Sequence, residues 1–483
     1  GGMNEERSFT LEKRAYHQSM VGVIGLNTTP SGEVGINRHM TLNANIVDAR
    51  GFVNINKSEY DGTEMLTPGE LMNVFGLESA DAERVAMTIS QSKHMVPVAK
   101  SSPSLVSYDM ERVLPYLSND FSVKSKMKGK VVAIENDIMI VQYDDGTYED
   151  IDLSEKPDKN TDGGFYIMNQ FSTDFKVGDK FDADEILARD RKYISDKDEL
   201  GDYTSNIGTL ARVAIVMNGT VYEDAGYITD KLAHELASKI TTHKSVIISQ
   251  YSNIKHIVKK GQEIQANDPL IIFDDTKDQF TSELLAGMAD EVGDEEEVVA
   301  SSAPVVSKVT GVVKDIKIYY TCPLEAMTPS LQKIIKEYNT KISARTKTLS
   351  KYIDPKDANT IIAPCRQLEP DSSGRVKGVK VGIGSEVIIE FYIEYLDIMG
   401  IGDKCSNYTA LKMIVSDIIP ADKAAYTDFN PEQKIDAYLS AFGVYKRMCL
   451  DIVKVGGLTK LLVEKKRMMR DKYLSRIEAE LKK

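Results

Sequence analysis

A mixed α/β, strand-rich fold with a helical C-terminal segment is what the sequence predicts, on three observations. Residues 128–153 and 379–396 alternate apolar and polar side chains, the period of a half-buried strand. Residues 81–96 bring apolar side chains together at helical spacing before a proline. From residue 434 onward the sequence is mostly helical and ends in a charged amphipathic stretch.

Taken in order, residues 17–55 are rich in Gly, Asn and Thr with short apolar runs, and read as strands and turns. In the helix over 81–96, Asp81 is placed to cap the start. Val85, Met87 and Ile89, with Met95, supply the apolar positions, and Pro97 stops it. Residues 128–153 read as a β-hairpin, with Val131, Val132, Ile134, Ile138, Ile140 and Val141 around the turn Asp144-Asp145-Gly146. Residues 211–217 read as a buried strand and residues 230–240 as a short helix.

The texture changes over 245–378. Strand-like runs at 270–273 and 311–320, an acidic run at 291–297, a Ser/Ala/Pro patch at 301–304 and a helical run near 330–349 read as an inserted, partly mobile module. Residues 379–396 return to strand, with Val387, Ile389, Phe391, Ile393 and Tyr395 on one face. No internal repeat is present.

At 483 residues the chain is too long for one compact core, and about three domains are expected. Its balance of apolar and charged residues is that of a soluble globular protein, with no apolar run fit to span a bilayer and no signal-peptide pattern. Gly1-Gly2 ahead of Met3 reads as an expression scar and is set aside. Cys322, Cys365, Cys405 and Cys449 form no CxxC pair, which argues against a zinc site or disulfide framework and fits a reducing compartment. The scattered histidines form no HExxH pair. A net charge of −13 argues against a general nucleic-acid binder but permits an acidic outside with a basic channel. The charge is uneven: residues 291–297 are acidic and the tail over 460–483 is basic.

Four constellations can carry chemistry, though each alone is also an ordinary surface feature. Gly400-Ile401-Gly402-Asp403-Lys404 turns the backbone after a long strand, and Lys412 opens the next apolar run. Two ammonium groups on neighbouring strands suit a phosphodiester or triphosphate. The segment 218–224 ends a strand in a turn bearing Glu223 and Asp224, adjacent acids fit to orient a divalent metal or a cation. Arg84, Lys93 and His94 lie along one helix and can line a groove. Arg447 stands where a loop leads into a helix, and a guanidinium there can grip a triphosphate with two hydrogen bonds. No phosphate-binding glycine loop and no Ser-His-Asp or Cys-His arrangement is present.

In chain order these pieces resemble the β subunit of multisubunit DNA-directed RNA polymerases. His17-Gln18-Ser19-Met20-Val21-Gly22, then Thr29-Pro30-Ser31-Gly32 and Gly35, is similar to the family's HxxxG…ETPEGxNIG, with Ser31 where the family has its second acid. Residues 81–98 (DAERVAMTISQSKHMVPV) resemble DANRALMGxNMQRQAVPL, with Arg84 and Pro97 at the family spacing and His94 in place of a Gln. Met110-Glu111-Arg112 matches MER. Residues 218–229 (NGTVYEDAGYIT) resemble NGYNFEDxxxIS, and Gly402-Asp403-Lys404 with Lys412 resembles GDKxxxRHGNKG. Residues 416–426 are similar to SKIxPxEDMPY, and residues 443–448 (GVYKRM) to GVPSRM. The segments are collinear from residue 17 to 448 and so cover most of the chain. Where the family has RHGN between its lysines, this chain has Tyr408-Thr409-Ala410-Leu411.

The resemblance implies the C-terminal half of β, split from its N-terminal part as in the polymerases of giant bacteriophages. It divides the chain into a fork and hybrid-facing region (4–125), a first part of a double-psi β-barrel (126–235), a flap-like insertion (236–378), a second barrel part with the lysine pair (379–430) and a C-terminal helical segment (431–483). It implies that Lys404 and Lys412 contact RNA and nucleotide phosphates and that Arg447 and Arg84 approach the incoming triphosphate. Glu223 and Asp224 would stand behind the ligands of a second Mg²⁺, while Lys93, His94 and Asp403 face nucleic acid. No metal is held directly and no zinc is expected. The Mg²⁺ is bound mainly by a β′-type partner bearing the DxDGD aspartates that this chain lacks. Further expected partners are the separate N-terminal β part, a promoter-specificity factor, template DNA, RNA transcript and NTPs, with no membrane. The expected place is the host cytoplasm or the virion. The alternatives are a non-catalytic structural or virion protein derived from a polymerase barrel, and an RNA-templated polymerase, which carries its aspartates in the same chain.

Overall fold

The computed structural model describes residues 5–275 and 304–481, except 30, 55–56, 80–81, 93, 160–163, 199, 207, 218, 220, 355, 357, 359–362, 373, 378, 381–386, 408 and 429. It is mixed α/β and strand-rich and ends in a long helix, Leu450–Leu481. Two compact units are built from interleaved segments. One comprises Gly1–Ser118, Lys192–Ser238 and Ile398–Lys483; the other comprises Asn119–Arg191 and Lys239–Asp397. Among the described residues no helix is long and apolar enough to cross a membrane.

In the first unit, residues 17–55 form short 3-10 turns (Gln18–Met20, Ser31–Glu33) and isolated bridges (Ile24 with Met40, Ile46 with Val53) rather than the expected strands. Polar side chains take up the carbonyls that a ladder would use: Thr28 Oγ1 donates to Asn37 O at 2.8 Å, and Arg38 Nη2 to the carbonyls of Arg14 and Ala15 at 2.8 Å. The expected helix forms over Ala82–Ser92 and buries Val85, Ala86 and Ile89, but it ends short of residue 96 and leaves Met95 exposed. Its proposed cap Asp81 lies outside the described residues.

A five-stranded sheet dominates this unit, in the order Lys404–Ser406, Lys412–Ile419, Ala225–Thr229, Ala437–Ser440, Val213–Val216. The first pair is antiparallel, the second parallel, the third antiparallel and the fourth parallel. The sheet curls as a half-barrel around Ile228, Met413, Val415, Leu439 and Cys449. Gly226 allows the curl: a Cβ there would meet Met413 Sδ at 2.4 Å and Tyr438 O at 2.6 Å.

Three expectations change in this unit. Val213–Val216 lies at the sheet edge, with Val213, Ile215 and Met217 exposed, because only one neighbour covers it. The helix begun at Asp230 ends at Glu235, and residue 240 already lies in the strand Ser238–Ile248, where Ile240, Thr241 and Thr242 favour extended backbone. Residues 437–440 are a fully buried strand rather than helix, and helix resumes at Ala441–Lys446.

The second unit holds a four-stranded sheet ordered Tyr148–Asp152, Ile138–Tyr143, Gly129–Glu135, Lys180–Phe181. The single hairpin expected over 128–153 is a three-strand meander. Its first turn, Asn136-Asp137, has φ of 54° and 58°, the left-handed pair of a type I′ turn. A larger sheet runs Glu263–Ile264, Gly311–Tyr320, Val387–Asp397, Ser238–Ile248, Tyr166–Asn169, Lys156–Lys159. Val387, Ile389, Phe391 and Ile393 share one buried face as expected, packed with Ile316 and Ile318 and with Leu331 and Ile335 of the helix Pro329–Leu349. The strand grouped above with the lysine pair therefore pairs with Gly311–Tyr320, from within the supposed insertion. The acidic run 291–297 lies outside the described residues.

Candidate functional site

The lysine pair comes first. Lys404 stands opposite Ile414, and Ser406 opposite Lys412, in an antiparallel register. Lys404 and Lys412 are therefore diagonal neighbours on one face, roughly 7–8 Å apart at the backbone. Both are exposed, while Met413 and Val415 point into the core. The preceding turn is built by Gly402, whose φ of +97° lets its amide donate to Val415 O at 2.8 Å. Asp403 closes the turn: Val415 N donates to its carbonyl at 2.8 Å, and Gly400 N donates to its carboxylate at 2.7 Å. One oxygen of its exposed carboxylate thus braces the turn that presents Lys404.

The loop expected to be altered, 407–411, is tightly organised. Asn407 Oδ1 accepts from Thr409 N at 3.1 Å, Thr409 Oγ1 at 2.7 Å and Leu411 N at 3.1 Å. Ala410 adopts φ of +56°, and Thr409, Ala410 and Leu411 are buried. Tyr408 lies outside the described residues.

Two ion pairs flank the sheet. Arg447, just beyond the helix Ala441–Lys446, donates through both terminal nitrogens to Asp224, Nη2 reaching Oδ2 at 2.7 Å. Lys446 pairs with Glu223. Asp224 is held in place by its own backbone, since Ile414 N donates to its carbonyl at 2.9 Å. The Arg447 hydrogen bonds hold the Asp224 carboxyl below its usual range; burial opposes this, and the charges of Arg447, Lys446 and Arg84 reinforce it. The Glu223 contact raises the Lys446 ammonium above its usual range. Gly443 lies against the pair: a Cβ there would be 3.6 Å from Arg447 Nη1, 3.6 Å from Leu411 Cδ1 and 3.8 Å from Asp224 Oδ1. An exposed apolar rim follows, with Tyr222 and Phe442 rings 5.4 Å apart and Tyr445 and Met448 open.

Arg84 does not line an open groove. Only 6% exposed, it donates from Nη1 to Ala410 O at 3.3 Å and lies 3.5 Å from Glu83. The helix turns it inward, where the loop carbonyl takes up one of its donors and its buried Nε has no hydrogen-bond partner among the described residues. His94 is exposed at the helix end, its amide bonded to Gln91 O at 3.0 Å. Lys93 lies outside the described residues.

The structure thus brings Lys404, Lys412, Arg84, Asp224 and Arg447 to one end of the half-barrel. It adds residues not singled out from sequence: Lys446, Gln91, Ser406 and Asn407. The spacing Asn407-x-Thr409 is an Asx-turn signal that sequence offers for the last of these. Among the described residues no group of three or more His, Cys, Asp and Glu is arranged to hold a metal. Glu223 and Asp224 are each engaged by a cation, Lys446 and Arg447 respectively. Chemically the ensemble offers two exposed ammonium groups, able to meet an anion such as a phosphate, beside a guanidinium whose fork is filled by a carboxylate. No protein-family model matches the chain, and no curated protein matches its sequence.

Proposed function

We propose that this chain is the C-terminal part of the β subunit of a multisubunit DNA-directed RNA polymerase, supplying phosphate contacts to nucleotidyl transfer and inactive without its partner. In this reading the curled sheet is the β-side double-psi barrel. The observation that carries it is the lysine pair: Lys404 and Lys412 are diagonal on one exposed face, beside Arg447 and Asp224.

The reaction is attack of an RNA 3′ hydroxyl on the α-phosphate of an NTP, with pyrophosphate leaving. Mg²⁺, bound mainly by the β′-type partner, supplies charge stabilisation at the attacking and leaving oxygens. This chain's lysines neutralise charge that develops on the phosphates. Asp224 fills the terminal fork of Arg447 and fixes its plane, and the guanidinium meets the triphosphate through its remaining N–H groups. Glu223 and Asp224 orient the two cations beside them.

The test is mass spectrometry of the native complex with a templated NTP-incorporation assay. Co-purification with a DxDGD-bearing chain is expected, and Lys404→Ala and Lys412→Ala should each slow extension roughly 10²–10³-fold with assembly intact. Wild-type extension by both variants, or a homo-oligomeric shell without a DxDGD partner, would overturn the reading.

A further inference from the structure

We infer that Gln91 is a positioning residue, clamping the loop between the two lysines and thereby setting where Lys412 points. Gln91 and Arg84 are seven residues apart on the helix Ala82–Ser92, about two turns, so both face the same way. Both reach one atom: Arg84 Nη1 and Gln91 Nε2 each donate to the carbonyl of Ala410 at 3.3 Å. The other end of the Gln91 amide accepts from the hydroxyl of Ser406. Ser406 is the register partner of Lys412, and Ala410 stands two residues before it. One side chain therefore holds both legs of the loop that joins the lysine-bearing strands.

The chemistry requires an amide. Gln91 must donate to a carbonyl and accept from a hydroxyl, and a carboxylate does only the second. Ala410 is held at φ of +56°, a conformation that an L side chain rarely adopts unless its surroundings impose it. Asn407 secures the same loop from within with three accepted hydrogen bonds, to which Gln91 adds its two from the neighbouring helix. The clamp rests on this geometry alone; only its effect on nucleotide addition rests on the function proposed above.

The test compares wild type, Gln91→Leu and Gln91→Glu as full chains. Amide hydrogen exchange over 407–412 and acetic-anhydride labelling of Lys404 and Lys412, referenced to Lys333, report the clamp. In Gln91→Leu, exchange is expected to rise about tenfold and labelling of Lys412 to change, with the unfolding midpoint unmoved. Gln91→Glu should give a smaller change, since it keeps the acceptor for Ser406. Unchanged exchange and labelling in Gln91→Leu would overturn the clamp, whatever the chain's activity. In the assembled complex, Gln91→Leu should lower kcat for templated addition about tenfold with KM for NTP unchanged. Raised exchange with wild-type kcat would overturn the positioning role. Raised exchange, with no templated synthesis even by wild type, would support the clamp and count against the polymerase reading instead.

Discussion

Arg447 holds Asp224 with both terminal nitrogens of its guanidinium, and Asp224 in turn is fixed by the amide of Ile414, two residues beyond Lys412. The arginine is thereby tied to the strand that carries Lys412. On the polymerase function proposed above, Arg447→Ala should lower templated nucleotide addition roughly 10²–10³-fold. Arg447→Lys should recover little, because an ammonium cannot match a planar two-point contact. Steady-state kinetics on the assembled complex decides this, and wild-type turnover by the lysine variant would refute it.

Gly226→Ala tests the curl of the half-barrel. The added methyl would meet Met413 Sδ and the backbone carbonyl of Tyr438, and only the first can move aside. Overpacking of this kind should destabilise the first unit by about 1–3 kcal/mol. Denaturant unfolding, followed by hydrogen exchange in 225–229 and 412–419, should register the loss there.

Acid stability should depend on Asp152. It accepts from Arg345 Nη2 at 2.6 Å and from Ser154 and lies 2.5 Å from Lys156, and it is nearly buried. Burial works against its charge, but these hydrogen bonds prevail and hold the carboxyl below its usual range. A depressed folded value means that the carboxylate stabilises the fold fully above the unfolded value of about 3.9, and loses that effect as pH falls through the folded value. Asp152→Asn should cost about 1–3 kcal/mol between pH 5 and 8, and the gap to wild type should begin to narrow only below about pH 4, as pH falls toward the depressed folded value. A gap that stays constant into acid would contradict this.

The Asn136-Asp137 turn gives a backbone test. Asp137→Val should destabilise by about 1–2 kcal/mol, since a β-branched residue resists positive φ. Asp137→Gly should not destabilise, because a type I′ turn favours glycine there. Thermal unfolding midpoints of the two variants separate the cases.

What was legible in the sequence, and what was not, follows from range. The helix Ala82–Ser92 and the turn before Lys404 announce themselves through spacing, proline and glycine, all local signals. The face shared by Val387, Ile389, Phe391 and Ile393 is equally local, but its partner Gly311–Tyr320 is not, so the strand was grouped with the wrong neighbours. Val213–Val216 is apolar enough to read as buried, yet burial depends on how many strands flank it. The Asn136-Asp137 turn hid behind the more obvious Asp144-Asp145-Gly146. The inward setting of Arg84 and the part played by Gln91 depend on a carbonyl more than 300 residues away, in a loop shaped by Asn407.

The order of strands in the half-barrel also governs when it can assemble during synthesis. Among the described residues Val213–Val216 pairs only with Ala437–Ser440, and Ala225–Thr229 lies between that strand and Lys412–Ile419. As the ribosome delivers the chain N-terminus first, residues 213–229 wait through about two hundred further residues before any partner emerges, at roughly 5–20 residues per second. During that interval the backbone of Val213–Val216 has no strand to pair with, the kind of apolar segment that invites mispairing between nascent chains. The unit formed by residues 119–191 and 239–397 has all its strands in hand earlier. Recombinant yield should therefore respond to slower translation or added chaperone more than the protein's final stability would suggest.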